Sequence, residues 1–407
     1  MSMKVPDLVK ALLPARRSRK RVFSLDHTRD VMDEIFGEDI HLARVRSLAN
    51  GVTGVLNATM VSVSAIGRAY AEVAHIGPKS GVKQVDRLLS NDGVDMDEVG
   101  AAWVRHVVGT TPEIVVAMDW TDFDDDDHTT LVVALATTHG RATPLAWKTV
   151  AKSKLKNRRT KHELSMVKRL HSWLPEGVGV ELLADRAFGY QKLYALLEKL
   201  GWRYTIRFRE NIVIYDGPGP ALRAAAYVPT NGRAFKVVAP KVTRKRFGIP
   251  AIVAVKRKGM KEAWCLATSR AEDAPVEIVR TYSRRFSIEE TFRDTKDITF
   301  GLGLRATHIS DPERRDRMLL LIAIAHTLLT LLGAASEASG LDRRLKSNTV
   351  KRRTMSLFNQ GAYWYRCLAT MREEWLTPLL AAYETILMQH DFLAEILLFR
   401  SVSEAQK

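Results

Sequence analysis

Cysteine is almost absent from this 407-residue chain: Cys265 and Cys367 are the only two, too few for a disulfide framework and without the paired spacing of a zinc site. A reducing compartment is expected. The N-terminus lacks, in order, a charged region, an apolar stretch and a cleavage site, so secretion is not expected. A clean membrane span is lacking too. The nearest approach, MLLLIAIAHTLLTLLGAAS at 318–336, is broken by His326 and two threonines, and a helix buried between a sheet and other helices has the same pattern, so no membrane partner is expected. Acidic residues are in deficit, 46 against 62 lysines and arginines, which leaves a formal net charge of +16 and favours a polyanionic partner. The hydrophobic fraction of 46% is ordinary and suffices for two or three cores in a chain of this length.

The basic residues recur in clusters: ARRSRKR at 15–21, KSKLKNRRTK at 152–161, KVTRKR at 241–246, KRKGMK at 256–261 and VKRR at 350–353. Any one of them could be no more than a solvated face. Their dispersion suits a protein that DNA crosses at several places.

The first hundred residues read as helical, in HTRDVMDEIFG, LARVRSLANGVTGVLNA and SGVKQVDRLLSND. In the last of these Lys79, Lys83 and Arg87 share a face by i,i+4 spacing and could meet phosphates or a groove. A strand pattern follows. The apolar run IVVAMD at 114–119 is closed by Asp119, and TTLVVALATT and RATPLAWKTV read as the next two strands, with His139 and Gly140 at their turn. Asp122 and Asp124 to Asp127 crowd the intervening connection and read as a solvated loop, so Asp119, on a strand end, is the better-fixed ligand candidate. A second such run, VGVELLAD at 178–185, closes on Asp185 before an amphipathic helix ended by Gly201. After the strand WRYTIRFRE at 202–210, which carries Arg207, a basic, β-branched stretch runs to about 270 with strand-like pieces AFKVVAP, PAIVAVKRK and EAWCLATS. The simplest reading is an inserted β subdomain. The region from about 340 onward is again helical.

Tyr282, Arg285, Glu289 and Lys296 are spaced so that a helix would carry them within roughly 60° of arc, while Glu290 and Asp294 point elsewhere. One face then presents a carboxylate with two cations and a phenol. A carboxylate for a divalent metal beside cations for phosphate oxygens is what a nuclease or strand-transfer site needs. The plain alternative is a solvated helix with an i,i+4 ion pair between Arg285 and Glu289.

The segment TYSRRFSIEETFRDTKD resembles the Tyr-x2-Arg-x3-Glu-x6-Lys signature of bacterial insertion-sequence DDE transposases, whose catalytic domain is ribonuclease H-like. Asp185 with Arg186 and Phe188 is similar to the family's Asp-Arg-x-Phe block, although Ala187 stands where relatives often have Gly, and KSGVKQVDRLLSN resembles a stretch that often precedes the catalytic domain. The resemblance implies that Glu289 is a third metal-binding carboxylate after Asp119 and Asp185, and that Tyr282, Arg285 and Lys296 contact transposon-end phosphates. It also implies a β insertion before the Glu. Related enzymes stack a flipped base on an aromatic residue of that insertion, where Trp264 could sit; a core or interface tryptophan is the alternative.

The expected architecture is therefore α/β, a ribonuclease H-like core with an inserted β subdomain between helical flanks. Its divisions are a helical DNA-binding region (1–110), core (111–210), insertion (211–274), core (275–338) and a helical C-terminal region (339–407) that serves dimerisation or DNA contact. The expected activity is metal-dependent cleavage at transposon ends followed by 3′-hydroxyl strand transfer, by the cut-and-paste route. Two Mg²⁺ ions on Asp119, Asp185 and Glu289 would suit that displacement, with Mn²⁺ able to substitute. The expected partners are double-stranded DNA, as terminal inverted repeats and target, and a second copy of the chain, in a bacterial cytoplasm. Tyr282, Arg285, Lys296, Trp264, Arg207, Lys83 and Arg87 are the expected DNA contacts. A structure-specific nuclease of the same fold, or a domesticated DNA-binding regulator, are the other two readings.

Overall fold

A computed structural model describes residues 24–388, apart from 59, 298 and 300. The cluster at 15–21 and the apolar run at 392–399 lie outside the described residues. The chain enters through helices α1 (Leu25–Phe36), α2 (Leu42–Asn57), α3 (Val63–Val73), α4 (Pro78–Leu89) and α5 (Met96–Val108). Side-chain caps set the starts of α1, α3 and α5. Ser24 Oγ accepts from the His27 amide at 3.1 Å, Ser62 Oγ from that of Ala65 at 3.2 Å, and Asp95 Oδ1 from that of Asp97 at 2.6 Å. Helices α3 and α4 cross through glycines: a Cβ on Gly67 would stand 2.4 Å from the Val82 Cα, so no larger residue fits.

The strands that follow are β1 (Glu113–Phe123), β2 (His128–Leu135) and β3 (Thr143–Ala151), then helix α6 (Arg159–Trp173), β4 (Gly179–Ala184), helix α7 (Gln191–Lys199) and β5 (Arg203–Phe208). β1, β2 and β3 pair antiparallel in sequence order, while β4 lies parallel to β1 and β5 parallel to β4. Short strands come next: β6 (Val213–Tyr215), β7 (Leu222–Arg223), β8 (Phe235–Val238), β9 (Lys241–Val242), β10 (Phe247–Gly248), β11 (Ala251–Val255) and β12 (Trp264–Thr268). The large sheet has the order β3-β2-β1-β4-β5-β12-β11-β8, and a small one the order β10-β9-β6-β7. The 211–274 segment thus contributes to both. β11 reads AIVAV with every residue buried, which calls for cover on both faces and suits the interior of a large sheet.

The chain closes with α8 (Pro275–Ser283), α9 (Phe286–Lys296), α10 (Pro312–Ala338), α11 (Leu357–Cys367) and α12 (Glu373–Met388). The apolar run of the sequence lies in α10, which is long and apolar enough to cross a membrane, yet 89% of its most apolar window is buried within the protein. It packs against β3, where Trp147 Nε1 donates to the Asp316 carbonyl at 3.0 Å and Asp316 Oδ1 accepts from the Thr149 amide at 2.8 Å. The result is a mixed α/β fold with a large mixed sheet and flanking helices.

Candidate active site

The register of the sheet brings the two aspartates together. β1 and β4 run parallel with Met118 opposite Ala184, so the next residues, Asp119 and Asp185, leave that pairing side by side. Asp119 does not end its strand, contrary to the sequence reading. β1 continues to Phe123 because β2 supplies antiparallel partners as far as His128. The Asp119 carboxylate turns back on the chain and accepts from the Trp120 amide at 2.8 Å.

The signature residues do not ride on one uninterrupted helix. α8 ends at Ser283 and α9 begins at Phe286; between them the Arg284 and Arg285 amides donate to the Thr281 and Tyr282 carbonyls at 3.0 Å, the tighter i→i+3 bonding of a 3₁₀ turn. That turn drives Arg285 inward. Its side chain is 5% exposed, with Nη1 at 3.3 Å from Asp119 Oδ2 and Nη2 at 2.5 Å from Glu289 Oε1. Asp185 also acts on it electrostatically. One guanidinium therefore pairs with two of the three carboxylates and feels the charge of the third. Glu290 turns away to Arg293 at 2.9 Å.

The cluster is electrostatically loaded. Burial raises the Asp119 carboxyl above its ordinary value, Arg285 and the Trp120 amide oppose this, and the negative charges of Glu289 and Asp185 add to it, leaving it at about 6. Asp185 Oδ1 is buried without a hydrogen-bond partner, and Arg207 Nη1 approaches it only to 3.9 Å. Among the described residues no three His, Cys, Asp or Glu side chains stand close enough together to hold a metal ion as they are, and here the space is shared with Arg285. The donor set nevertheless fits a hard divalent cation: acceptor-only oxygens, one buried oxygen in want of a partner, and repulsion that a cation would relieve.

The other expected contacts fall in different environments. Tyr282, an expected DNA contact, is buried: it is 1% exposed, edge-on to Trp264 with ring centres 5.0 Å apart, because α8 packs it against β11 and β12. Burial accordingly raises its phenol pKa. Lys296 is half-buried; its Nζ donates to Thr121 Oγ1 at 3.1 Å and the Asp122 carbonyl at 2.6 Å, tying the end of α9 to β1. Trp264, half-buried, stacks on the exposed Phe286 with centres 5.6 Å apart. Arg207 Nη2 donates to Glu262 Oε2 at 2.6 Å. Lys83 and Arg87 are exposed on α4.

Three supports went unseen in the sequence. Arg141, from the β2–β3 turn, pairs with Asp294 on the far side of α9. Glu163, 3% exposed, accepts from Trp120 Nε1 at 2.8 Å and from the Tyr190 hydroxyl at 2.7 Å, linking the segments that follow Asp119 and Asp185. A signal for it existed, since Glu163 shares a helical face with Met166, Val167 and Leu170. The acidic stretch at 122–127 is solvent-exposed at Asp124, Asp125 and Asp127, yet it is also tied to the fold. Lys152 bridges Asp122 and Asp124, Ser153 bonds Asp127, and Asp126 holds the wholly buried Arg315.

The model of the transposase DDE domain family matches residues 111–328, more than half of the chain. The chain belongs to this transposase family. A search among curated proteins found no match. The transposase domain thus runs from β1 into α10 and contains Asp119, Asp185, Arg285 and Glu289. Membership in the family makes the protein an enzyme that acts on DNA, and helices α1 to α5, α11 and α12 lie outside the match.

Proposed function

We propose that this chain is a cut-and-paste transposase of the insertion-sequence group with the Tyr-Arg-Glu-Lys signature, built on a ribonuclease H-like core, that cleaves its own transposon ends and joins the freed 3′ hydroxyl to target DNA. What supports the reading is the Arg285 guanidinium, paired with Asp119 of β1 and Glu289 of α9, together with the parallel β1–β4 register that sets Asp185, the residue after β4, beside Asp119. Asp119, Asp185 and Glu289 would hold two Mg²⁺ ions, or Mn²⁺ in their place. When bound, the ions would stabilise the entering and leaving oxygens of an in-line phosphodiester displacement.

The chain's own groups would do the rest. The Trp120 amide and the Glu163 bridge hold Asp119 and its neighbours in place. Arg285, freed from the carboxylates, would turn its donors to a DNA phosphate, and Tyr282 and Lys296 would position it by anchoring α8 and α9 rather than by touching DNA themselves. Lys83 and Arg87 would meet the duplex from α4, and the 1–110 and 339–407 regions would serve end binding and dimerisation. The 211–274 segment would act as the insertion, with Trp264 and Phe286 offering aromatic faces at the edge of the site.

The test is joining. A duplex with a labelled transposon end, incubated with a target duplex and Mg²⁺, should yield both a cleaved end and a joined product; cleavage without joining would favour the nuclease reading, and binding without either would favour the regulator.

A further inference from the structure

Two basic segments far apart in sequence meet away from the three carboxylates. KSKLKNRRTK leads into α6 and KVTRKR forms the turn between β9 and β10. Asn157 and Thr160 from the first and Arg244 and Lys245 from the second line one groove of about 810 Å³, joined by Lys192 from the start of α7. Gln191 Nε2 reaches Thr243 Oγ1 across it at 3.5 Å. Within the first segment Lys152 is taken up by Asp122 and Asp124, whereas Lys192, Arg244 and Lys245 are exposed and, among the described residues, have no carboxylate within ion-pair distance.

The floor of the groove is aromatic. Tyr194 and Phe247 stack with ring centres 6.2 Å apart, and Tyr190 lies beside them. Tyr190 also ties the groove to the candidate active site, because Glu163 accepts from its hydroxyl and from Trp120, the neighbour of Asp119. The turn is strained: Thr243 and Arg246 take left-handed backbone, with φ of 62° and 49°. Such cost is met at sites where geometry matters.

Unpaired cations above an aromatic floor match a polyanion whose flat rings are free to stack. Duplex DNA could offer phosphates to the rim, but its base faces stay within their own stack; a single strand offers both. We infer that this groove binds a single-stranded segment of DNA, with phosphates at Lys192, Arg244 and Lys245 and bases over the floor. The inference rests on the DNA-cleaving reading for the reason a single strand arises nearby, as strands part around the cut.

The test is fluorescence anisotropy with the full chain, using a labelled oligothymidylate on the order of ten nucleotides and a duplex of equal length, over a range of salt. Arg244→Ala/Lys245→Ala, both at exposed positions, should weaken oligothymidylate binding about tenfold or more and flatten its salt slope by roughly 0.7 for each phosphate left without its cation. Phe247→Ala should weaken it about five- to hundredfold with the salt slope unchanged. Lys258→Ala/Lys261→Ala, which removes the same charge elsewhere, should leave it near the wild-type value. Unchanged single-strand affinity in Arg244→Ala/Lys245→Ala, or an equal loss in the control, would overturn the inference. A chain that binds the duplex but not the oligothymidylate would sink the groove alone, and one that binds neither would sink the DNA-cleaving reading with it.

Discussion

Arg285 Nη1 lies 3.3 Å from Asp119 Oδ2, and this ion pair joins the middle of the β-sheet to the turn that opens α9. Because the same guanidinium reaches Glu289 at 2.5 Å and is 5% exposed, the carboxylate cluster already contains a buried cation. A metal ion would compete with it for the same oxygens.

Arg285→Ala should therefore unfold more readily without metal, by on the order of 2 kcal/mol, since it leaves the half-buried Asp119 carboxylate without its cation. Mn²⁺ should stabilise it more than it stabilises the wild type. Melting curves with and without Mn²⁺ check this, and equal shifts for the two proteins would show that Arg285 and the metal do not compete.

The pH dependence follows from Asp119, whose carboxyl burial pushes up to about 6 from an ordinary 3.8. Between these values the unfolded chain loses its proton before the folded one does, so the group lowers stability as pH rises and its whole cost is present above pH 6. Asp119→Asn should gain stability relative to wild type between pH 4 and pH 7, by no more than about 3 kcal/mol. Urea denaturation at the two pH values measures the difference; a gain at pH 4 as large as at pH 7 would refute the assignment.

The acidic connection after β1 contains residues of very different worth. Asp126 is 9% exposed and pairs with Arg315, which is wholly buried, so Asp126→Ala should cost about 3–5 kcal/mol through the unpaired charge it leaves. Asp125→Ala, at an exposed position, should stay within about 0.5 kcal/mol. Chemical denaturation of the pair would expose equal losses if this reading is mistaken.

Glu163→Ala should cost about 2–4 kcal/mol, because it strands the Trp120 indole N–H and the Tyr190 hydroxyl. Glu163→Gln keeps an acceptor and should lose less. Denaturation followed by tryptophan fluorescence distinguishes them.

The strands from β1 to β5 and the helices α1, α2 and α4 were legible because each is a local pattern, an apolar or β-branched run or a 3.6-residue period. The nearness of Asp119 and Asp185 was not, since periodicity does not state which strands pair or in what register. The break before Phe286 was hidden for a related reason: a 3₁₀ turn at Arg284 and Arg285 leaves the spacing of the signature residues untouched while turning Tyr282 and Arg285 inward. Composition alone did not single out Asp126 within the acidic stretch, because its partner Arg315 comes from α10, far along the chain. Likewise β11 and β12 read as strands, but nothing local to them told which sheet they would join.

The most direct measurement is cleavage of a labelled transposon end by wild type, Glu289→Gln and Glu290→Gln, in Mg²⁺ and in EDTA, with end binding followed in parallel. Wild type and Glu290→Gln should cleave in Mg²⁺ and not in EDTA, while Glu289→Gln should bind the end and leave it uncut. Cleavage that persists in EDTA or in Glu289→Gln, or that disappears in Glu290→Gln, would contradict a metal-dependent site built on Asp119, Asp185 and Glu289.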